Sequence, residues 1–140
     1  MRGITDVVKG SDAGLMEHLV RLVSEAEDGS LTFANFVEFD SLYGHRRDVS
    51  GYARALEWFD SQLPRVVSAL RPDDMLVLTA DHGNDPTWHG TEHTRERVPV
   101  LIHTGENGGG ALPEMGFVDV GATVAAHLGV ESDGPGRALI

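Results

Sequence analysis

The sequence predicts an α/β fold with mostly parallel strands, and three observations carry that expectation. Short β-rich apolar runs alternate with longer segments whose apolar residues recur every three or four positions. Turn residues such as Asp28-Gly29 and Arg71-Pro72-Asp73-Asp74 separate these segments. The polar, chemically capable residues gather just after the strand runs, where open parallel sheets build their sites.

Taken in order, Ser11 and Asp12 are caps for a first helix that carries Leu15, Leu19, Leu22, Val23 and Ala26 on one face. Leu31 to Val37 reads as a buried strand, and Glu38 to Asp48 as a polar loop. A second helix starts near Val49 with Tyr52, Leu56, Phe59, Leu63, Val66, Val67 and Leu70 on its apolar face. Pro64 within it predicts a kink or the first residue of a new helix. Met75 to Ala80 and Val98 to His103 read as two further strands. Gly105 to Gly110 reads as a mobile loop, and a last helix is expected from about Asp119 to Leu128, ended by Gly129. Three short strands make a small sheet, and buried parallel strands need neighbours on both sides. The expected arrangement is therefore part of a larger sheet.

Composition narrows the function classes. The chain has 140 residues, one domain's worth, with 22 acidic side chains against 11 basic ones and a net charge of −11. A surface so acidic is wrong for nucleic acid or for an anionic membrane, which both need a basic face. No apolar run approaches the roughly 18 residues of a membrane span, and Met1 to Ser11 lacks a signal-peptide core. A cytoplasmic protein is the expectation. The absence of Cys removes disulfides, thiolate metal sites and cysteine nucleophiles.

The chemistry lies in two places. After the first strand run come Asp40, Tyr43, Gly44, His45, Arg46, Arg47 and Asp48; after the second come Asp81, His82, Gly83, Asn84 and Asp85, then His89, Glu92 and His93. Asp and His without Cys form a ligand set for Mn²⁺, Zn²⁺ or a similar ion. On an α-helix, residues five apart are rotated by about 140°, so Asp40 and His45 are expected to converge from a loop. Asp81 and His82 would point to opposite faces of a continuing strand, and a turn at Gly83 would bring them together. Loops are polar for bland reasons too, and a lone His is usually just solvated. Two Asp-His pairs after β-rich runs are less easily bland, because two carboxylates about 5 Å apart repel by roughly 3 kcal/mol until a cation joins them. Arg46, Arg47, Arg95 and Arg97 are candidates for holding a phosphate, Trp88 for lining a site, and Trp58 for packing. Gly108-Gly109-Gly110 is no phosphate loop, since no Lys-Ser or Lys-Thr follows it.

Phe33-Ala34-Asn35-Phe36-Val37-Glu38-Phe39-Asp40, Leu42-Tyr43-Gly44-His45-Arg46-Arg47-Asp48 and Thr79-Ala80-Asp81-His82-Gly83 closely resemble phosphopentomutases, as do Asp85-Pro86-Thr87, His93-Thr94-Arg95-Glu96 and Val98-Pro99. These enzymes belong to the alkaline phosphatase superfamily. The resemblance covers nearly all of residues 1–140 as a single segment, matching the C-terminal part of a longer family polypeptide. It implies a three-layer α/β/α core and two divalent ions, most often Mn²⁺. Asp40, His45 and His93 would hold one ion, and Asp81 and His82 the other. The second site is completed in the family by an upstream Asp and a phosphorylated Thr that have no counterpart in these 140 residues; the sugar-phosphate-binding cap has none either. Glu38 and Glu92 stand where relatives often carry Asp, and His89 where a small residue or Pro is common.

The implied activity is interconversion of the 1- and 5-phosphates of ribose and deoxyribose through a phosphoenzyme. No nucleophile is assigned on this chain, which is expected to be inactive alone and to meet an N-terminal partner chain or a second copy. The bare Asp81-His82-Gly83 is shared with phosphoglycerate mutases and phosphatases, so half of such an enzyme is one alternative. A non-catalytic metal-binding or interaction domain is the other.

Overall fold

The computed structural model describes residues 3–105 and 109–140. It contains three α-helices, α1 (Asp12–Glu25), α2 (Val49–Ala69) and α3 (Phe117–His127), and two strands, β1 (Met75–Thr79) and β2 (Val100–Thr104). A π-helix, Phe39–Gly44, stands just before α2. None of the described helices is long and apolar enough to cross a membrane.

α1 begins where its cap predicts. The Ser11 hydroxyl accepts the Gly14 N–H at 3.3 Å, answering one of the free donors of the first turn. α2 is capped by Asp48, whose carboxylate accepts the Gly51 N–H at 2.9 Å. It runs unbroken through Pro64, so no second helix starts there. The two helices pack together, with Met16 and Val66 almost wholly buried. Arg65 of α2 grips Glu17 of α1 through two bonds of 2.6 and 2.7 Å. That pair is exposed and adds little stability. α3 begins two residues before Asp119 because Asp119 acts from inside the first turn: its carboxylate accepts the Gly116 N–H and the Arg137 N–H, each at 2.9 Å. Gly129 follows the helix at φ +66, the left-handed geometry that favours glycine at a helix end.

The strands correct two expectations. Residues 31–37 form no strand; Phe33 is 87% exposed, and Leu31 and Val37 are exposed with it. An apolar run becomes a strand only beside a partner, and none lies alongside it among the described residues. β1 and β2 pair antiparallel, Met75 opposite Thr104 and Thr79 opposite Val100, whereas the alternation of elements predicted parallel pairing. Parallel neighbours need a crossover, usually a helix, and the segment from Ala80 to Pro99 contains none. The fold is mixed α/β with a two-stranded sheet. The expected Gly105–Gly110 loop falls largely on residues 106–108, outside those described.

The interior is small. Among the described residues Met16, Val66 and Ala122 are its buried apolar ones, and the total accessible surface is 10,004 Å². A compact globule of this mass would expose about 7,100 Å².

Candidate metal centre

The π-helix decides how Asp40 meets His45. Its i→i+5 bonding joins the His45 N–H to the Asp40 carbonyl at 2.9 Å and so sets residue 45 over residue 40. The sequence expectation of a loop here is corrected: five residues, wrong for an α-helix, are the span of one π-helical hydrogen bond. The helix is rooted on α2 by edge-to-face rings, Phe39 on Phe59 at 5.8 Å and on Tyr52 at 6.1 Å. Burial and the nearby Asp40 charge both push the Tyr52 hydroxyl above its usual range, so it stays protonated at neutral pH. Gly44 is needed at the last position, because a Cβ there would overlap the Asn84 amide.

The second half of the centre comes from the stretch between the strands. β1 ends at Thr79, and the following bend brings His82 Nε2 to 3.7 Å from Asp81 Oδ1. An isolated bridge joins Gly83 to Thr94, with the Thr94 N–H on the Gly83 carbonyl at 3.0 Å. The Thr94 hydroxyl accepts the Asp85 N–H at 2.6 Å and donates to Glu96. This small frame fixes His93, which sits between its bridged ends.

Asp40, His45 and His93 converge: one ligand atom from each lies within 4.8 Å of the others. His45 Nε2 is 3.1 Å from one Asp40 oxygen and His93 Nε2 is 3.4 Å from the other. Two ligand atoms of a tetrahedral ion with bonds of roughly 2.0 Å lie about 3.3 Å apart, so each His–Asp pair is spaced for a shared divalent ion. The tautomers support the fit. His45 Nδ1 faces the Thr91 carbonyl, and a carbonyl only accepts, so Nδ1 carries the proton. In neutral His45 the lone pair of Nε2 then confronts a carboxylate, an opposition that a cation between them relieves. His82 repeats the pattern, with Nδ1 at 3.2 Å from the Gly83 carbonyl and Nε2 towards Asp81. The His82 and His93 rings stack at 3.6 Å, which places the two Asp-His pairs side by side. Among the described residues Asp81 and His82 belong to no group of three ligands, and Asp81 is largely exposed.

Several sequence candidates go elsewhere. Arg47 is turned inward, donating from NH1 to the Gly44 carbonyl (3.1 Å), Asn84 Oδ1 (2.6 Å) and the Asp85 carbonyl (2.9 Å). Its NH2 reaches the Glu92 carbonyl at 2.6 Å and its Nε the Gly90 carbonyl. A guanidinium so occupied is not free for a phosphate. Trp88 is exposed and lies against His89, while Trp58 lines a cavity of about 160 Å³ with Asp12, Glu38, Phe39 and Arg54. Glu38 exchanges bonds with Asp12, each carboxylate accepting the other residue's backbone N–H at 3.1–3.2 Å. Asn84 stands in the second polar cluster of the sequence, but its residue type assigns it no role. In the structure it is 9% exposed and donates to Asp40 Oδ1 at 2.6 Å.

The fold and the His/Asp cluster define a metal-binding α/β protein, and a model of the metalloenzyme superfamily matches residues 2–132. The chain belongs to that superfamily. Its similarity to phosphopentomutases runs along almost its whole length. It is 51% identical to a phosphopentomutase of Sinorhizobium medicae over 141 aligned residues and 49% identical to one of Rhizobium rhizogenes over 143, covering 99% of this chain and 35% of each relative. A phosphopentomutase of Vibrio cholerae is 50% identical over 91% of this chain and 32% of its own length. The chain thus spans about a third of the length of these curated relatives.

Proposed function

We propose that this chain supplies the metal-binding part of a phosphopentomutase-type centre that interconverts the 1- and 5-phosphates of ribose or deoxyribose. The observation that carries the reading is the convergence of Asp40, His45 and His93, with His45 held so that its free nitrogen faces the Asp40 carboxylate. These three residues hold one ion; Asp81 and His82 are ligands to a second. Mn²⁺ is the proposed metal, with Zn²⁺ the alternative.

Such ions neutralise charge on a phosphoryl group in transit. The chain's own part is to place them. Asp40 and Asp81 bring two negative charges against the four positive charges of two divalent ions, and imidazoles add none while neutral. The centre keeps a local positive excess that draws a sugar phosphate despite the net charge of −11. His82 stacked on His93 holds the two ligand pairs adjacent, as two ions acting on one phosphoryl group require.

The remaining parts of the reading are structural. β1 and β2 belong to a larger, mostly parallel sheet within a three-layer α/β/α core, which the exposed run 31–37 and the large accessible surface support. The sheet is completed by a partner polypeptide carrying the remaining two-thirds of the relatives' length, or by a second copy. The setting is cytoplasmic, without nucleic acid or membrane.

Calorimetric titration with Mn²⁺ and Zn²⁺ tests the centre. The chain should bind, and His45→Ala should weaken binding by more than the 10–100-fold typical of losing an outer partner of a ligand. Equal binding by the two proteins would remove the centre. A coupled assay tests the activity: the 140-residue chain alone should convert no ribose phosphate, and adding the complementary part of a relative should restore conversion. Robust turnover by the chain alone would place the nucleophile within it.

A further inference from the structure

We propose that Asn84, clamped by Arg47, is a positioning residue that orients the Asp40 carboxylate for its ion; the inference rests on the metal-centre reading above. Asn84 lies with its amide between a cation and an anion. Its Oδ1 accepts from Arg47 NH1 at 2.6 Å, and its Nδ2 donates to Asp40 Oδ1 at 2.6 Å. An amide can present either end to a neighbour, and here Arg47 removes the choice. A guanidinium only donates, so it claims the oxygen and turns the NH₂ to Asp40. One lone pair of Asp40 Oδ1 is thereby occupied, and the carboxylate is held with Oδ2 at 3.1 Å from His45 Nε2 and Oδ1 at 3.4 Å from His93 Nε2.

The relay explains why an amide stands here. An Arg in direct contact would pair with Asp40, neutralise its charge and compete with a divalent ion. With Asn84 interposed, Asp40 is fixed in orientation but keeps its full charge. Two features of the backbone serve the same relay. Gly44 leaves room for the amide, and Arg47 adopts φ +54, uncommon for a residue with a Cβ, while its guanidinium reaches Asn84. Such geometry persists only where surrounding bonds hold it, and Arg47 makes five.

Cobalt(II) added to the full 140-residue chain tests the role, because its visible bands report ligand geometry. Asn84→Ala should weaken cobalt binding about 10–100-fold and alter the bands of the bound ion. Arg47→Ala combined with Asn84→Ala should lose little beyond the larger single effect, since Arg47 acts through Asn84. A merely structural role would lower the melting temperature but leave the spectrum of the folded, loaded protein unchanged. If Asn84→Ala does not fold, Asn84→Asp decides: it keeps the shape and the bond to Arg47 but gives Asp40 an acceptor instead of a donor, so the bands must change. Wild-type bands and an affinity within about twofold, in whichever variant folds, overturn the inference. No cobalt binding by the wild type, or equal binding by His45→Ala, would instead sink the metal-centre reading and this inference with it.

Discussion

Replacing Gly44 with Ala sets two effects of opposite sign against each other. Helix propensity alone favours the change, by about 1 kcal/mol for Gly to Ala. The local geometry opposes it. A Cβ at position 44 would overlap the Asn84 amide nitrogen and lie 2.9 Å from its carbonyl carbon and 3.2 Å from the Phe39 oxygen. Ordinary contact begins at 3.4 Å, so the amide carbon must retreat by about half an ångström and the amide nitrogen by about twice that. It has little room, being nearly buried and bonded at 2.6 Å to both Arg47 and Asp40. Overpacking of this kind costs about 1–3 kcal/mol, and a weakened bond to a charged partner adds about 1.5–3 kcal/mol. Against the propensity gain, the net loss should be about 3 kcal/mol, or a fall of roughly 10 °C in Tm for a chain of this size. A thermal melt followed by circular dichroism measures it, and a metal titration of the same variant should show weaker binding. A Gly44→Ala protein that melts at or above the wild-type temperature would show that propensity wins and that the Asn84 amide is not wedged as described.

Two further outcomes follow from groups away from the centre. Burial raises the Asp12 carboxyl above its usual range against the pull of the Glu38 N–H, and its Oδ1 has no hydrogen-bond partner. Its ionised form is therefore disfavoured in the fold, and the penalty is present at neutral pH and fades as pH falls through the raised value. The Tm advantage of Asp12→Asn over wild type should be greater at pH 7 than at pH 4; an advantage that grows towards acid would contradict this. The exposed Leu31, Phe33 and Val37, the open strand edges and the roughly 2,900 Å² of surface beyond that of a compact globule should make the chain self-associate, and Phe33→Asp should reduce it. Sedimentation showing a sharp wild-type monomer at high concentration would refute that expectation.

The candidate ligands were legible in the sequence as a collection of Asp and His residues, and their grouping followed from the family resemblance. Asp40, His45 and His93 are unusual together in a chain without Cys, and the structure brings all three to one point. The cap at Ser11, the turn at Arg71–Asp74 and the glycine after α3 are local signals and read as such. What sequence periodicity missed depends on distant partners. Whether 31–37 forms a strand depends on a neighbouring strand, and the pairing direction of β1 and β2 on what joins them. The π-helix escapes periodicity because its spacing matches neither 3.6 nor 2, although Asp40 and His45 at five apart were its one visible trace. Residue type makes Arg47 a candidate for holding a phosphate; only the fold shows five acceptors converging on it.

Those five bonds have a consequence for how an ion comes and goes. The π-helix and the stretch carrying His93 lie far apart in sequence, and bringing such segments together has an entropic cost. Where a metal alone closes such a loop, stripping it unfolds the site, and rebinding waits for the chain. Here Arg47 closes the loop with protein atoms, from its own position to Asp85, Gly90 and Glu92. A chelator should therefore leave the ligands assembled, and little ordering remains to be done when an ion returns. One divalent metal should replace another quickly, reversibly and with a small heat-capacity change, at a pace set by the ion's own shedding of water.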